Sequence, residues 1–348
     1  MKNIFENYKD LSIAVFGDYC LDEYLWIDAA LNEPSLETGL VAYQCVKRET
    51  SPGAAGTIAK NLANLGVGTI YAVGYVGNDG RGMELCQGLD ALGVNRDYLL
   101  PSPGRGTFTH TKPWLIENGT TRELNRIDIK NQTPTPANLE DAAIDCIQKL
   151  IGQVDALIIL DHVVEENFGI ITDKVRRALA KIAKENPKCI IYADSRCRIG
   201  KFEGMMLKGN QYELCHAVYG EGAGTSRDTS VKLAADPTVE RTDNEINQAC
   251  QSLWERNGEP IVCTMGESGL RIYQGGPAIE IPGICVTGQT DVCGAGDMFT
   301  ASFVSALAAG ADMTQAGIIG NKAAAICVTQ LGTSGHVTQA DILRTCIQ

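Results

Sequence analysis

Positive charge is scarce in this sequence. Its 348 residues include 30 lysines and arginines against 42 aspartates and glutamates, which gives a formal net charge of -12. This imbalance argues against nucleic acid and against an anionic membrane surface as partners. No apolar run approaches the roughly 18 residues of a membrane-spanning helix, so we expect no transmembrane segment.

Motifs for metal clusters, disulfides and export are also missing. Thirteen cysteines are spread along the chain, no Cys-x-x-Cys pair occurs, and the four histidines do not cluster with them. We therefore expect reduced, buried thiols and no structural zinc site. The amino-terminal residues lack the basic and apolar regions of a signal peptide, so we expect a cytoplasmic protein.

Strand patterns alternate with helical patterns over most of the chain. Short apolar runs such as 11–16, 155–161 and 189–194 are typical of strands covered on both faces, and helical stretches lie between them. This alternation predicts right-handed βαβ crossovers and an α/β fold with a doubly wound, mostly parallel sheet. Because no polar linker interrupts it, the chain is predicted to be one domain over residues 1–348.

Two stretches depart from this alternation. Residues 23–50 and 105–128 have a β-like pattern, and Asn118-Gly119 in the second stretch is a hairpin signal. We expect the two stretches to pair as a small separate β-sheet that forms a lid over the site.

The strongest chemical signal is Gly294-Ala295-Gly296-Asp297, which leads into an apolar, alanine-rich helical pattern. The unpaired N–H groups of a glycine-rich turn and the dipole of the helix that follows form an anion-binding site. A carboxylate beside a merely bound phosphate would be unfavourable. In phosphoryl transfer, however, Asp297 would accept the proton of the attacking hydroxyl. The alternative is that Asp297 only caps the helix.

Acidic and small residues follow the first strand. Asp18 and Asp22 lie at its carboxyl end, where open α/β sheets bind ligands, so they could accept hydrogen bonds from a sugar or simply form a turn. The segment 51–57 opens a predicted helix, and its small residues would allow close approach to a ligand or tight packing on the sheet. Asn61 faces away from the apolar stripe of that helix and could be solvated.

Two further patterns are ambiguous on their own. Asn210 and Glu213 are one helical turn apart, so they could hold water around Mg²⁺ or cap a helix. The turn 264–269 could bend around a nucleotide or be a plain hairpin.

In this order, the motifs resemble the ribokinase-like (PfkB) family of carbohydrate kinases, nearly end to end. Residues 291–297 resemble the carboxyl-terminal signature Asp-Thr-x-Gly-Ala-Gly-Asp, with Val292 in the threonine position. Residues 52–59 resemble the amino-terminal glycine signature. Residues 210–213 resemble the Mg²⁺-associated Asn-x-x-Glu motif, and residues 264–269 resemble the nucleotide turn.

The resemblance implies an ATP- and Mg²⁺-dependent phosphotransferase whose acceptor is an alcohol group, and it implies a homodimer formed through the lid. It also assigns roles to individual residues. Asp297 would be the base, and the amides of Gly294, Ala295 and Gly296 would form the anion hole. The sugar would be bound by Asp18, Asp22, Gly53, Ala54, Thr57, Asn61 and Lys112. ATP would be bound by Asn210, Thr264, Gly266, Gly269, Asp291 and Asn321, with Glu213 reaching Mg²⁺ through water.

Within the family, the chain is most similar to bacterial D-glycero-D-manno-heptose-7-phosphate kinases of the ADP-heptose pathway. Residues 17–24 resemble their Gly-Asp-x-Met-Leu-Asp-Arg-Tyr, and residues 124–128 resemble their Leu-x-Arg-x-Asp. Three positions differ from those kinases. Ala54 replaces a glycine, Thr57 replaces an asparagine, and Trp114 stands where those kinases tend to carry an arginine. Loss of the arginine matters for a phosphorylated substrate, because its planar, always charged group suits phosphate.

We therefore predict an ATP-dependent kinase of a sugar or sugar phosphate, with heptose 7-phosphate as one candidate. A nucleoside kinase of the same fold is an alternative, because Tyr24, Trp26 and Trp114 could line a base pocket. A non-catalytic sugar- or nucleotide-binding protein is a second alternative, since the sugar loop is altered. Retention of Asp297 within the glycine turn argues against that alternative.

Overall fold

The computed structural model describes residues 2–220, 241–330 and 335–344. None of the helices in these ranges is both long and apolar enough to span a lipid bilayer. They are α1 (Lys2–Glu6), α2 (Ala55–Asn64), α3 (Gly80–Ala91), α4 (Ala137–Leu150), α5 (Asp173–Glu185), α6 (Gln211–Tyr219), α7 (Asp243–Asn257), α8 (Ala295–Ala308), α9 (Met313–Cys327) and α10 (Gln339–Arg344).

The strands of the same ranges belong to three sheets. They are β1 (Ser12–Gly17), β2 (Tyr19–Asp28), β3 (Glu33–Pro34), β4 (Val41–Ala42), β5 (Cys45–Ala54), β6 (Thr69–Gly77), β7 (Asn95–Ser102), β8 (Phe108–Glu117), β9 (Thr120–Glu123), β10 (Ile127–Ile129), β11 (Ala156–Asp161), β12 (Ile190–Ser195), β13 (Met206–Asn210), β14 (Ile261–Thr264), β15 (Gly269–Tyr273) and β16 (Ile279–Pro282).

The main sheet has nine strands in the order β16-β15-β14-β13-β12-β11-β1-β6-β7. The strands from β14 to β7 in this order run parallel, and β15 is antiparallel to both of its neighbours, β14 and β16. The central strands are mostly apolar because helices cover both faces; β11 is buried at every position. The predicted α/β fold with a doubly wound, mostly parallel sheet is confirmed. Strand order reverses between β1 and β11, so polar residues at the carboxyl ends converge on one edge.

A separate sheet of five strands is built from β10, β8, β2 and β5 in that order, with β9 paired to β8. Its strands come from the parts of the chain in which the β-like stretches were predicted. The Asn118-Gly119 hairpin is present: both residues have positive φ, 50° and 75°, and β8 and β9 pair directly across them. We call these strands the second sheet.

Two apolar layers cover the main sheet. Helices α2, α8 and α9 pack on one face, with α3 joining the same core beside β2 and β5, whereas α4, α5, α6 and α7 pack on the other face. Helix α8 is buried along most of its length because residues as small as alanine and serine line it. Its amino terminus is thereby fixed at the sheet edge where the strands end.

Two helix starts differ from the predictions. The helix expected to open at Ser51 begins at Ala55, because residues Cys45–Ala54 continue as β5 along β2. Between the strand patterns 155–161 and 189–194 the sequence predicts a helix over Asn167–Lys184, but α5 begins at Asp173, after Thr172, whose hydroxyl caps it. Asn167 has a φ of 64°, which is outside the helical range.

Candidate active site

The glycine-rich turn forms the amino terminus of α8. Gly294 is the N-cap residue and has a φ of 77°, which glycine adopts without strain. Ala295 donates its N–H to Val292, whereas no backbone acceptor contacts the N–H of Gly296 or Asp297 among the described residues. No side chain caps this terminus. The open N–H groups and the positive end of the helix dipole therefore meet at one point, which suits an anion.

Asp297 lies in the first turn of α8 and is partly exposed. Burial, and then the negative charges of Asp194 and Asp22, raise the pKa of Asp297 to about 7, against the opposing effect of Lys208 and Arg196. A carboxylate with this pKa is efficient in proton transfer near neutral pH. Since its side chain is not used as a cap, the alternative that Asp297 serves only as a helix cap has no support here.

A buried ion pair supports the anion site from below. Lys208 on β13 donates a hydrogen bond to Asp194 at the end of β12, over 2.7 Å. Its Nζ is 3.2 Å from the point where a Cβ atom of Gly296 would lie. Burial lowers the pKa of Lys208, but Asp194 and then Glu213 more than offset this, so the net pKa is raised. Lys208 is thus a fixed positive charge next to the turn.

Asn210 and Glu213 form a capping box at the start of α6. The Asn210 side chain accepts the N–H groups of Tyr212 and Glu213, each over 2.9 Å, and Glu213 Oε2 accepts the N–H of Asn210 over 2.8 Å. The capping alternative is therefore present in the structure. It does not occupy the whole carboxylate, and burial raises the pKa of Glu213 to about 7, with Lys208 acting in the opposite direction.

Asp22 and Lys112 meet on one face of the second sheet. Lys112 Nζ lies 3.5 Å from Asp22 Oδ2 and 3.4 Å from the Tyr24 hydroxyl. Asp22 is close enough to Asp297 to raise its pKa, and the thiol of Cys293 in the glycine-rich turn is close enough to Lys112 to raise its pKa. This face of the second sheet therefore lies opposite the turn, and we call the space between them the cleft.

The small-residue segment is packed tightly against Asp22. A Cβ atom at Gly53 would lie 2.6 Å from Cys20 Sγ and 2.8 Å from Asp22 Cγ, so only glycine allows this approach. Ala54 has φ 50° and ψ -116°, a conformation that strains any residue with a side chain. Thr57 is buried, and its hydroxyl donates to a carbonyl of the same segment over 3.4 Å.

Asp18 does not reach the open cleft. Its Oδ2 accepts the N–H groups of His162 and Val163, each over 3.0 Å, and its Oδ1 accepts the N–H of Ile170 over 2.7 Å. Burial, together with the charge of Asp161, raises the pKa of Asp18 to about 6 despite these three bonds. Both oxygens thus join the end of β1 to the loop after β11.

Asn61 is fully buried on α2, so the alternative that it is solvated is wrong. Neither its Oδ1 nor its Nδ2 has a hydrogen-bond partner in the described part of the chain. Helix α2 packs against α8. The Ser305 hydroxyl of α8 is also buried without a hydrogen-bond partner among the described residues. The structure does not bring Asn61 to the cleft surface.

Several of the residues assigned to ATP are connected by contacts near the hairpin of β14 and β15. Thr264 donates to Gly209 over 3.5 Å, next to Asn210. The segment from Thr264 to Gly269 is a hairpin turn between β14 and β15, with Gly266 and Gly269 at φ 55° and 92°. Gly269 pairs with Pro282, whose carbonyl accepts the side-chain amide of Asn321 over 2.8 Å. These contacts connect Thr264, Gly269 and Asn321.

Asp291 fixes the start of the glycine-rich turn. Its Oδ1 accepts the N–H of Cys293 over 2.9 Å, and its own N–H donates to Val328 after α9 over 2.8 Å. Asp291 therefore shapes the turn from the side of α9.

Sequence reasoning missed Lys208 and His110. A lysine inside a buried strand pattern, two residues before Asn210, was an available signal, since charged residues are rarely buried without a functional or pairing reason. His110 had no local signal, because its partner Asp128 comes from another strand, β10.

Comparison with known proteins identifies the family of this chain. The family model described as "pfkB family carbohydrate kinase" matches residues 18–340. The bifunctional protein HldE of Desulfatibacillum aliphaticivorans is 28% identical over 337 residues, covering 96% of this chain and 63% of the relative. HldE of a Bradyrhizobium species (strain ORS 278) is 29% identical over 349 residues, covering 97% and 65%. The chain thus spans less than two thirds of the length of these relatives.

Solved structures show the same fold. Ribokinase of Arabidopsis thaliana, complexed with ribose and ATP, has a TM-score of 0.67 at 19% identity, over 96% of this chain and 98% of that one. Phosphofructokinase-2 of Escherichia coli has a TM-score of 0.71 at 15% identity, over 96% and 97%. The match of the family model over nearly the whole chain places it in a family of sugar kinases, which are phosphotransferases whose acceptor is an alcohol group. The chain belongs to the pfkB family of carbohydrate kinases.

Proposed function

We propose that this kinase transfers the γ-phosphoryl group of ATP to a hydroxyl of a sugar phosphate, and that heptose 7-phosphate is the first substrate to test. The observation that carries the proposal is Asp297, with a pKa of about 7, beside the open N–H groups of Gly296 and Asp297 and across the cleft from Asp22 and Lys112.

In the proposed step, the Asp297 carboxylate accepts the proton of the sugar hydroxyl. The hydroxyl oxygen forms a bond to the γ-phosphorus as the bond from phosphorus to the β–γ bridging oxygen breaks, and ADP leaves. The open amides of Gly296 and Asp297 and the ammonium group of Lys208 stabilise the negative charge of the transferring group. Preorganised donors of this kind contribute most of the rate in such reactions, because they need no reorganisation.

Mg²⁺, when bound, would neutralise charge on the ATP phosphates. In the described residues, no three His, Cys, Asp or Glu side chains lie close enough to form a metal site. The residues present fit an indirect role, since one Glu213 oxygen caps α6 and the other is left for metal-bound water. Magnesium usually retains several waters beside nucleotide phosphates, which agrees with this donor set.

The second sheet favours an anionic substrate over a nucleoside. Tyr24 and Trp26 stack with their ring centroids 6.1 Å apart, as a base pocket would require. Lys112 lies over the Tyr24 ring at 5.0 Å, however, and Lys47 lies over the Trp26 ring at 4.5 Å. Ring faces covered by ammonium groups are poor stacking surfaces for a base, whereas the same lysines suit a phosphate.

The proposal includes the second sheet as a lid, within a single domain of residues 1–348. It also includes a homodimer formed through this sheet. Large apolar side chains beside β5, which is an edge strand, support the dimer: they are Leu36, Leu40, Val41, Tyr43 and Val46, which are 50% to 98% exposed. Replacing Leu36 and Val41 by glutamate should convert a dimer into a monomer in sedimentation experiments; an unchanged mass would count against this interface.

A coupled assay of ADP release tests the proposed function. The panel contains heptose 7-phosphate, fructose 6-phosphate, their unphosphorylated sugars, ribose and adenosine, each with ATP and Mg²⁺, and the Asp297→Asn variant is the control for a contaminating kinase. We expect turnover of a phosphorylated sugar, reduced about 10²–10⁴-fold in the variant. Turnover of adenosine alone would favour the nucleoside kinase. Binding of sugar and ATP without ADP release would favour the binding protein.

A further inference from the structure

His110 lies on the cleft face of the second sheet. On β8 it is paired with Asp22 of β2 on one side and with Asp128 of β10 on the other. It stands two residues before Lys112, and alternate residues of a strand point to the same face. Since Lys112 contacts Asp22 on the cleft face, His110 shares that face.

A chain of hydrogen bonds fixes the imidazole ring. Arg126 donates two hydrogen bonds to the Asp128 carboxylate, from Nε over 2.6 Å and from Nη2 over 2.8 Å. The same carboxylate lies 2.8 Å from His110 Nδ1. Phe108 and His162 pack edge-on against the ring, with centroid distances of 4.7 Å and 5.8 Å. The ring is therefore held in both position and orientation.

This geometry decides which nitrogen can meet a ligand. A carboxylate accepts hydrogen bonds, so Nδ1 carries the proton toward Asp128 and Nε2 is left with a lone pair. Burial lowers the pKa of His110, which favours the neutral ring, although Asp128 acts in the opposite direction. Nε2 makes no hydrogen bond within the described ranges, and it is not among the fully enclosed polar atoms that lack a partner.

We propose that His110 is a specificity-determining residue, whose Nε2 accepts a hydrogen bond from a hydroxyl of the bound sugar, and that Asp128 and Arg126 are its positioning residues. This inference rests on the proposed function and extends it. Lys112 provides positive charge on the same face, whereas His110 provides an acceptor, so the two residues recognise different parts of a sugar phosphate. A site with a fixed acceptor discriminates strongly against analogues that lack the matching hydroxyl.

The first test replaces His110 and uses heptose 7-phosphate, or whichever sugar of the panel is turned over. In His110→Leu, we expect the KM for the sugar to rise about 10- to 100-fold, since a buried hydroxyl loses its partner, while the KM for ATP is unchanged. In His110→Gln, which keeps an acceptor, the rise should be only about 2- to 10-fold. One deoxy analogue of the sugar should be poor for wild type yet no poorer than the parent sugar for His110→Leu.

The second test concerns orientation. Asp128→Asn allows the neighbouring imidazole to adopt the other tautomer, so it should raise the KM for the sugar about 10-fold in the wild-type background. It should have no further effect in His110→Leu, because coupled residues are not additive. Asp90→Asn is the matched control: it weakens the same bidentate arginine pairing, made there by Arg96 in an exposed setting, and should leave the KM for the sugar unchanged.

Three results would overturn the inference. One is an unchanged KM for the sugar in His110→Leu, and another is an equal rise in the KM for ATP, which would indicate general disturbance of the site. The third is an Asp128→Asn effect of the same size with and without His110. If no sugar of the panel is phosphorylated by wild type, the proposed function fails and this inference fails with it.

Discussion

Lys208 and Asp194 form a buried ion pair whose ammonium group also lies next to Gly296, so one charge connects the interior of the sheet with the anion site. The carboxylate holds Lys208 in its charged form, as the raised pKa of the lysine requires. Thr300 on α8 donates to the same carboxylate over 3.4 Å. The second turn of α8 is thereby attached to β12 and β13 through a single charged cluster.

Replacing Lys208 should lower both the catalytic rate and the free energy of unfolding, for two different reasons. Lys208→Met removes a charge near the transferring group, and we expect kcat to fall about 10²–10³-fold. It also leaves Asp194 buried without its partner, at a cost of about 3–5 kcal/mol in the free energy of unfolding. Urea unfolding and steady-state kinetics measure the two effects. The double variant Lys208→Met/Asp194→Asn should recover much of the stability and none of the activity; recovery of both would remove Lys208 from the catalytic mechanism.

The pH dependence of activity should follow Asp297. Its carboxyl must be ionised to accept a proton, and its pKa is about 7, so kcat/KM should fall tenfold per pH unit below about pH 7. Because the charge of Asp194 contributes to this pKa, Asp194→Asn should shift the acid limb to lower pH. A profile that stays flat from pH 8 to pH 5 would be incompatible with Asp297 as the base.

Asp297 should reduce stability at alkaline pH. The pKa of its carboxyl is 3.8 in an unfolded chain and about 7 in the folded protein. Between these pH values the folded protein therefore binds one proton more than the unfolded chain does. The destabilisation is absent below about pH 4 and complete above about pH 7. Asp297→Asn should therefore stabilise the protein by up to about 4 kcal/mol at pH 8, at about 1.4 kcal/mol per pKa unit, and have little effect at pH 4. Thermal unfolding at the two pH values measures the difference; equal shifts at both would refute the assignment.

Ala54 should be a site of stored strain. With φ at 50° and ψ at -116°, it adopts a conformation in which only glycine is relaxed. Ala54→Gly should therefore stabilise the fold by about 1 kcal/mol, the relief of strain less the added chain entropy. Ala55→Gly, at the next position and at the start of α2, should instead destabilise it by about 0.5–1 kcal/mol. Destabilisation by both changes would argue that Ala54 is not strained.

Asp18 should be important for stability and not for binding. In Asp18→Asn, an N–H group replaces one of the oxygens that accept three backbone amides, so we expect a loss of about 2–3 kcal/mol. The KM values for sugar and ATP should stay within about twofold of wild type wherever the variant is folded. A large rise in the KM for the sugar, at a temperature well below unfolding, would restore the role in sugar binding assigned from the sequence.

The sequence identified those parts of the site that are local. The turn from Gly294 to Asp297 and the pair Asn210 and Glu213 are each contained in one segment, so their geometry follows from glycine conformation and helix periodicity. Asp18 and Lys208 could not be understood in this way. The amides that Asp18 binds lie 144 to 152 residues further along the chain, and the partner of Lys208 lies 14 residues earlier on another strand.

Fold prediction followed the same division. Apolar strand runs and the Asn118-Gly119 hairpin are encoded within a few residues, and both are present. The predicted start of α2 was wrong because the residues before it pair with β2 as far as Ala54, which lies opposite Tyr19. Local helix propensity does not register this tertiary contact. Burial of Asn61 also depends on the packing of α2 against α8, which its own segment does not reveal.

Strands β1 and β2 are separated by Asp18 alone, and that residue is fastened to the loop after β11 by three amides. The connection between the two sheets is therefore not a flexible hinge. Any closing motion must come from bending and twisting of β2 and its neighbours. Displacement would be smallest near Cys20 and would grow toward Asp28, so substrate groups deep in the cleft would meet an almost static surface while the outer rim does the moving.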